Sequence, residues 1–399
     1  QVQHMTVTDL VPGINQFTPL SKGWVITDKN GANDRGDAGE IAAAGGTSTL
    51  DVSDPTQLQT DLDNLFSEVL SVSSTFVSAS VPVNVFNQTR SLDNLFVALF
   101  EAQDTLDWPG NIKRLKLLDD PNDPDGVFDT IVDQNGGPGF ETAGRNKGRI
   151  YATALTFWTD QNNLPVATTG IDPNDPKFVP VGADGRVVDR GGAGQQIPGV
   201  IQGGGGIIGD SNADSGNPRK VYLEAATITS GGSNLQDFAT SLKTDATIRT
   251  LFGQPLGGAV TQNVAEELIQ WGRGQDLDDD DDDNSTADAR FWVLADAIHS
   301  RPFALNYGDT DGAGSGYDQA TNPHIVLLFG TGDGMFHAIL NTESSGADSG
   351  KELWGIYPRE MLPQITRRRN PATMSDGRDM RYGNDGEPVV LTVDQNGDG

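Results

Sequence analysis

Oxygen-bearing side chains near the end of the sequence have the spacing of a calcium-binding loop. Asp394, Asn396 and Asp398 occupy alternate positions, and Gly399 follows where such loops need a sharp turn. Because Ca²⁺ prefers carboxylate and amide oxygens, these residues predict the first half of a calcium site. The carboxylate that would close the loop is not in this sequence, so we expect binding there to require residues beyond Gly399.

A second acidic segment, "DDPNDPDGVFDTIVDQNG", has a related pattern between two stretches that read as strands. Its carboxylates are spaced around Gly126 as calcium ligands are spaced around the turn of a binding loop. Pro121 stands at the position of the first ligand, so a neighbour on either side takes that role if the loop is one residue longer. The alternative is an acidic turn that holds no ion. The candidate ligands are Asp120, Asn122, Asp123, Asp125 and Asp129.

No catalytic constellation can be identified in the sequence. It contains no phosphate-binding loop, zinc-protease motif or nucleophile elbow, and with no cysteine it has neither a thiolate nucleophile nor a disulfide. His299 and His337 lie in apolar runs, where structural hydrogen bonds are the expected role. We interpret "RGD" at 35–37 and "GGGIIG" at 204–209 as loop segments. The sequence therefore predicts a protein that is not an enzyme.

The charge balance limits the partners of this chain. It has 27 Lys and Arg against 56 Asp and Glu, a formal net charge of −29. This charge argues against unassisted binding to nucleic acid or to an anionic membrane surface, and it favours cations. The sequence has no run of about 18 apolar residues, so we expect no membrane insertion. The start "QVQHMTVTDL" lacks the charged and apolar regions of a signal peptide, so we expect a mature or trimmed chain.

The pattern of apolar residues predicts a mainly β chain with minor α structure. The 49 glycines and 21 prolines favour short strands joined by turns. We predict helices in "DPTQLQTDLDNLFSEVL", "SLKTDATIRTLFG" and "QNVAEELIQWGRG", the last one stopped by Gly272. The run "DLDDDDDDN" is interpreted as a mobile, solvated linker. Strands are predicted in "TFVSASVPVNVFNQ", "NLFVALF", "NIKRLKLL", "GRIYATALTFW", "RKVYLEAATI", "RFWVLADAIHSRPFALNYG" and "HIVLLFGTGDGMFHAILN".

The segment "FGTGDGMFHAILNTESSGADSGKELW" is typical of part of a β-propeller blade. A strand leads through a Gly-Asp-Gly turn into a strand that contains the small Ala338, and a second turn precedes Trp354. A large aromatic residue and a glycine turn in each blade help neighbouring blades to pack. This signature occurs once, so either other blades have diverged or the chain ends early in the propeller.

Several blocks, in this order, resemble the type IV pilus tip-associated adhesins, the PilY family. The resemblance covers most of the chain from about Ser80, and its most specific blocks are "ADAIHSRP" and "GDGMFHAIL". The other blocks are "SVPVNVFNQTRSLDNLFVALFEAQDTLDWPGNIKRLKL", "DGRVVDRGGAG", "RKVYL", "LIQWGRGQD", "GKELWGIYPREML" and "RYGNDGEPVVLTVDQNGDG".

The resemblance implies a domain organisation. Residues 1–74 would be the tail of a von Willebrand A-like α/β domain, and 75–275 a loop-rich β region with a calcium loop. The acidic linker at 276–289 would then lead into a truncated PilY-type propeller at 290–399. The metal-adhesion signature of the first domain, Asp-x-Ser-x-Ser, is not found, because "DVSDP" has Pro55 at the final serine.

The resemblance also implies a function. The protein would be extracellular, at a pilus tip or the outer cell surface, where it would adhere to surfaces and act in pilus assembly and retraction. Its partners would be minor pilins and a host or abiotic surface ligand, and its cofactor Ca²⁺, bound in a propeller loop that matches Asp394, Asn396 and Asp398.

Two other functions are compatible with the sequence. The first is a periplasmic quinoprotein dehydrogenase of the PQQ type, which also combines propeller blades with Ca²⁺. The single blade signature, the long loop-rich regions and the lack of a vicinal cysteine pair argue against it. The second alternative is a structural subunit of a cell-surface filament. Visible absorbance from a bound quinone would distinguish the dehydrogenase from both other classes.

Overall fold

The computed structural model divides the chain into two compact units, residues 1–72 and 73–399. In the first unit it describes only a two-residue parallel pair, β1 (Ile26–Thr27) and β2 (Leu50–Asp51). The helix predicted at 54–70 lies outside the described residues. The second unit is described at 75–80, 93–103, 106–119, 128–142, 148–164, 181–200, 208–213, 219–227, 234–280, 282, 284–307, 322–343, 349–370, 382–384 and 386–389, with backbone alone at 75–80 and 128–129.

The first sheet of the second unit is a four-stranded antiparallel meander. Its strands follow chain order: β3 (Thr75–Ser80), β4 (Asn94–Glu101), β5 (Gly110–Asp119) and β6 (Phe128–Val132). The apolar run of β4 is buried along nearly its whole length, as a central strand covered on both faces requires. The predicted strands "NLFVALF" and "NIKRLKLL" are thereby confirmed.

The second sheet has six strands in the order β8-β7-β12-β11-β10-β9. Strands β9 to β12 form an antiparallel meander, and β7 joins its outer strand β12 in parallel. Neither sheet closes on itself within the described part of the chain. The strands are β7 (Val221–Glu224), β8 (Leu235–Asp237), β9 (Phe303–Asn306), β10 (Ile325–Gly330), β11 (Phe336–Asn341) and β12 (Glu352–Tyr357).

Three of the four described α-helices pack together beside β7 and β12. The bounds are α1 (Gly192–Gln195), α2 (Ala246–Gly253), α3 (Gln262–Arg273) and α4 (Leu362–Arg369). Helix α3 begins where the Thr261 side chain accepts a hydrogen bond from the backbone N–H of Val264 at 3.3 Å. Its apolar stripe joins residues of α2, α4 and both strands in one buried cluster. This packing stabilises helices that are too short to persist alone.

Three predictions about individual elements are wrong. "GRIYATALTFW" was expected to be a strand, but it forms only isolated bridges at Ile150 and Phe157. In "RFWVLADAIHSRPFALNYG" the strand is confined to β9, and the preceding segment packs as irregular backbone. Helix α3 continues through Gly272 to Arg273, and Gly274 caps it with a φ of 107°, in the left-handed region that glycine tolerates.

The ends of the acidic segment 276–289 belong to the folded unit. Gln275 and Ala289 form an antiparallel bridge, and the backbone N–H of Asp276 donates to the Asp288 carbonyl at 2.8 Å. The buried Asp276 carboxylate accepts backbone hydrogen bonds from Asp278 and Asp280 at 3.1 and 2.7 Å. Strands from both sides of this segment share the six-stranded sheet.

The described structure is mainly β with few helices, which confirms that part of the predicted fold class. The division between a loop-rich region at 75–275 and a separate region from 290 stays a prediction.

Candidate functional site

The predicted calcium ligands lie almost entirely outside the described residues. Of the candidate loop at 120–129, only the backbone of Asp129 is described, at the second position of β6. Strand β5 ends at Asp119 and β6 begins at Phe128, so the loop does connect neighbouring antiparallel strands. The ligands outside the described residues are Asp120, Asn122, Asp123, Asp125, Asp394, Asn396 and Asp398. Elsewhere in the described ranges, no group of three His, Asp or Glu side chains is arranged to hold a metal ion.

A buried chain of polar side chains lies at the turn between β10 and β11. The Thr331 hydroxyl is 3.0 Å from Nε2 of His337, and Nδ1 of His337 is 2.8 Å from Oε1 of Glu352. On the other side of Glu352, Nε of Arg219 donates to Oε2 at 2.7 Å. Hydrogen bonds connect a hydroxyl, an imidazole and a carboxylate in the same order as in a catalytic triad, and the distances match.

The burial of these hydrogen-bonded side chains limits their possible role. Thr331 and Arg219 are 0% and 1% exposed, and His337 is 1% exposed, so in the described structure the hydroxyl does not face solvent. The hydroxyl also contacts Oδ1 of Asp333 at 2.5 Å and the Met335 carbonyl at 3.1 Å. These contacts fix the Gly-Asp-Gly turn to β11, which is the structural role expected for His337 from the sequence.

The buried carboxylates of Glu352 and Asp333 are held in their charged forms. Burial raises the pKa of Glu352, but the Arg219 guanidinium and the hydrogen bond with His337 outweigh burial and lower the pKa to about 2. Burial likewise opposes ionisation of Asp333, yet His337 and Arg368 leave its pKa lowered. The pKa of Tyr357 is raised by burial and by Asp333, which accepts a hydrogen bond from its hydroxyl at 3.4 Å.

Three blocks that carry the family resemblance meet at Gly332 in this turn. The Gly332 N–H donates to the Asp296 carbonyl at 2.7 Å, and Oγ of Ser300 accepts from the Gly330 N–H at 2.9 Å. A Cβ on Gly383 would lie 2.6 Å from the Gly332 carbonyl oxygen, so the third block packs tightly on the same turn. Segments 295–302, 330–339 and 382–384 therefore form one cluster, which we call the glycine-turn cluster.

The second candidate site is a cleft open to solvent, with a volume of about 210 Å³. We call it the aromatic–acidic cleft, because its wall contains three carboxylates and three aromatic rings as well as Arg290. These six side chains are Asp107, Asp189, Asp280, Trp108, Phe291 and Trp292.

Two chain segments joined by backbone hydrogen bonds build the wall of this cleft. The Gly110 N–H donates to the Leu294 carbonyl at 2.9 Å, and the Asp296 N–H donates to the Trp108 carbonyl at 3.1 Å. A Cβ at Gly110 would lie 2.6 Å from Cα of Asp296, so only glycine permits this approach. The indole Nε1 of Trp292 donates to the Gly110 carbonyl at 2.8 Å.

An ion-pair network fixes the charged groups at the base of the cleft. Nη1 of Arg290 donates to Asp107 at 3.0 Å, and its guanidinium lies 3.9 Å from the centre of the Trp271 ring. The second oxygen of Asp107 accepts from Arg368 at 3.2 Å, and Arg368 also binds Asp296 at 2.6 Å. Both arginines are thus engaged by carboxylates or an aromatic ring.

Neighbouring carboxylates repel one another in the wall of the cleft. Partial burial raises the pKa of Asp280, and Asp276, Asp278 and Asp107 raise it further, while Arg290 lowers it. Arg290 and Arg368 both pair with Asp107, so the other two carboxylates of the wall are those of Asp189 and Asp280. A cation entering the cleft would relieve this repulsion.

The sequence did not predict this cleft. "RFW" was predicted as the start of a strand, and 182 residues separate Trp292 from the Gly110 carbonyl to which it donates. The adjacent acidic, basic and aromatic residues in both segments were the available signal. Nothing in their local pattern specifies that the two segments pair.

Comparisons of this chain with protein-family models, with curated proteins and with solved structures gave no match. Among the helices in the described ranges, none is long and apolar enough to span a bilayer.

Proposed function

We propose that this chain is part of an extracellular type IV pilus tip-associated adhesin that also acts in pilus assembly and retraction, binds Ca²⁺ and is not an enzyme. The glycine-turn cluster is the observation that carries the proposal. The blocks "ADAIHSRP", "GDGMFHAIL" and "RYGNDG" were selected by their resemblance to the PilY family, and residues of all three contact one another. Blocks that lie between residues 295 and 386 thus meet at one turn, which supports the proposal.

The antiparallel meander of β9 to β12 supports the finer proposal that a propeller begins here. Four strands in up-and-down order are the unit of a blade. Trp354 stands opposite the fully buried Ala338 in the strand pairing, and its ring is tilted against Phe336 at 6.3 Å. We further propose that residues 1–74 are the tail of a von Willebrand A-like domain.

The buried state of Thr331, His337 and Glu352 supports the assignment of a non-enzymatic role to that network. The net charge of −29 supports partners other than nucleic acid and anionic membranes. The partners proposed are minor pilins at the tip and a host or abiotic surface ligand.

The localisation is tested in the organism that encodes the protein. Antibody-gold labelling should place the protein at pilus ends, and deletion of the gene should reduce surface piliation and adhesion until the gene is restored. Labelling along the whole filament would favour a structural subunit. Visible absorbance of a quinone in the purified protein would favour the dehydrogenase. Either result would overturn the tip-adhesin proposal.

Calcium binding is tested separately, by titration calorimetry on a double variant, Asp125→Ala with Asp129→Ala. The variant should lose one site relative to the parent, because it removes two oxygen ligands of the loop between β5 and β6. Asp172→Ala with Asp175→Ala is the matched control, since it removes the same charge from another "DPND" sequence. Equal calcium binding by the parent and both variants would contradict the assignment of this loop.

A further inference from the structure

The aromatic–acidic cleft has a composition that the proposed function does not explain. Asp107, Asp189 and Asp280 share one small cavity with the rings of Trp108, Phe291 and Trp292. Aromatic faces attract cations through their negative quadrupole, and carboxylates attract them by charge. An anion would meet repulsion from the same groups.

The size of the cleft limits the ligand to a single group. Its volume of about 210 Å³ lies below the range of roughly 300–1,000 Å³ in which drug-sized molecules bind. One extended side chain of a partner fits a cleft of this volume better than an oligosaccharide or a nucleotide does.

The cleft is already organised for binding. Trp108 stacks on Phe100 with a 5° angle between the rings and donates its N–H to the Gln103 carbonyl at 2.9 Å. Trp292 is fixed by its bond to Gly110, and Arg290 by Asp107. Because these side chains are held before a ligand arrives, binding orders few additional groups.

We propose that the aromatic–acidic cleft binds one cationic side chain of a partner polypeptide, the ammonium group of a lysine or the guanidinium group of an arginine. The charged group lies between the carboxylates of Asp189 and Asp280, and its alkyl stem contacts Phe291 and Trp292. The net charge of −29 steers such basic segments toward the protein. The inference does not rest on the proposed function, because it depends only on the cleft.

The test is a titration of the intact protein with three probes: Nα-acetyl-lysine amide, Nα-acetyl-arginine amide and the neutral Nα-acetyl-norleucine amide. Binding is measured by calorimetry and by tryptophan fluorescence. We expect saturable binding of the two cations and none of the neutral analogue. Raising the NaCl concentration from about 0.02 M to about 0.5 M should weaken binding several-fold, because screening acts on the charge term.

Matched variants locate the binding site. Asp280→Asn should weaken binding of the lysine probe about fivefold, the effect of losing one carboxylate interaction near the surface. Phe291→Ala should weaken it about threefold by removing one aromatic face. Asp282→Asn is the control, since it makes the same charge change in the same acidic segment but lies outside the cleft wall.

Two outcomes would overturn the proposal. One is equal binding of the norleucine and lysine probes, or binding of a neutral disaccharide in their place. The other is an equal effect of Asp280→Asn and Asp282→Asn, which would assign the attraction to the general charge of the segment. Near-ultraviolet circular dichroism verifies that each variant is folded, so a loss of binding can be interpreted.

Discussion

Two buried ion pairs compensate opposite charges inside the second unit. Lys113 lies 3.0 Å from Asp184 with both side chains fully buried, and Nζ also donates to the Asp184 and Gly185 carbonyls at 2.9 and 2.6 Å. Arg219 and Glu352 form a second pair of this kind. Removing one member of such a pair leaves a buried charge without compensation, which costs about 3–5 kcal/mol.

The Glu352 carboxylate should give the stability of the unit a specific pH dependence. Its pKa is lowered from 4.5 to about 2, so it contributes stability above about pH 4.5 that is lost as the pH falls toward 2. From that shift, the contribution is on the order of 3 kcal/mol. We expect Glu352→Gln to lower the free energy of unfolding near neutral pH, and the gap from the parent to narrow in acid. Urea unfolding followed by tryptophan fluorescence between about pH 7 and pH 3 measures both.

The exposed Glu267 serves as the control for this prediction. It is 54% exposed at its side chain and lies 4.0 Å from Arg369, so Glu267→Gln should change stability by less than about 0.5 kcal/mol. A gap between Glu352→Gln and the parent that stays constant down to about pH 3 would show that Glu352 is not held in its charged form.

At the scale of elements, the turn between β10 and β11 depends on the absence of a side chain at Gly332. A Cβ there would lie 2.5 and 2.6 Å from the two carboxylate oxygens of Asp296, and it would also meet Arg368. These two side chains form a buried ion pair with little freedom to move. The close packing at Gly332 thus links the turn to the segment before β9 and to helix α4.

We therefore expect Gly332→Ala to destabilise the unit by about 2 kcal/mol or more, because the added methyl group forces the ion pair apart. Gly258→Ala is the matched control, since a Cβ at Gly258 has nothing within 4 Å. Thermal unfolding followed by circular dichroism compares the two variants. Equal unfolding temperatures for the two variants would mean that the turn accommodates the added methyl group without loss of stability.

At the scale of the whole molecule, the charge of −29 should oppose compactness. Like charges repel across the folded surface, and salt reduces this repulsion because the screening length falls to about 10 Å at 0.1 M. We expect the free energy of unfolding near pH 7 to rise by on the order of 1 kcal/mol as NaCl increases from about 0.02 M to about 1 M.

The same salt series near the sequence pI of about 4.2 is the control, because the net charge is then close to zero. The stabilisation by salt should largely disappear there. If salt stabilises the protein equally at both pH values, its effect comes from ion-specific hydration and not from charge repulsion.

The sequence by itself determined the mainly β class, the helices α2 and α3 and most strands with a clear apolar pattern. These features depend on local periodicity, which neighbouring residues set among themselves. Strands β10 and β11 follow from an apolar run on each side of a glycine turn. The end of α3 was missed by two residues because Gly272 packs inside the helix against Phe238 and Ile365.

Only the tertiary structure decided which polar residues meet. His337 was recognisable as structural, but its partner Glu352 lies 15 residues away and Arg219 a further 133 residues from that glutamate. The cleft joins residues near 108 and 292 through hydrogen bonds between irregular segments, which leave no periodic signal. Local sequence encodes the conformation of a segment, whereas contacts between distant segments arise from the shape and burial of the complete fold.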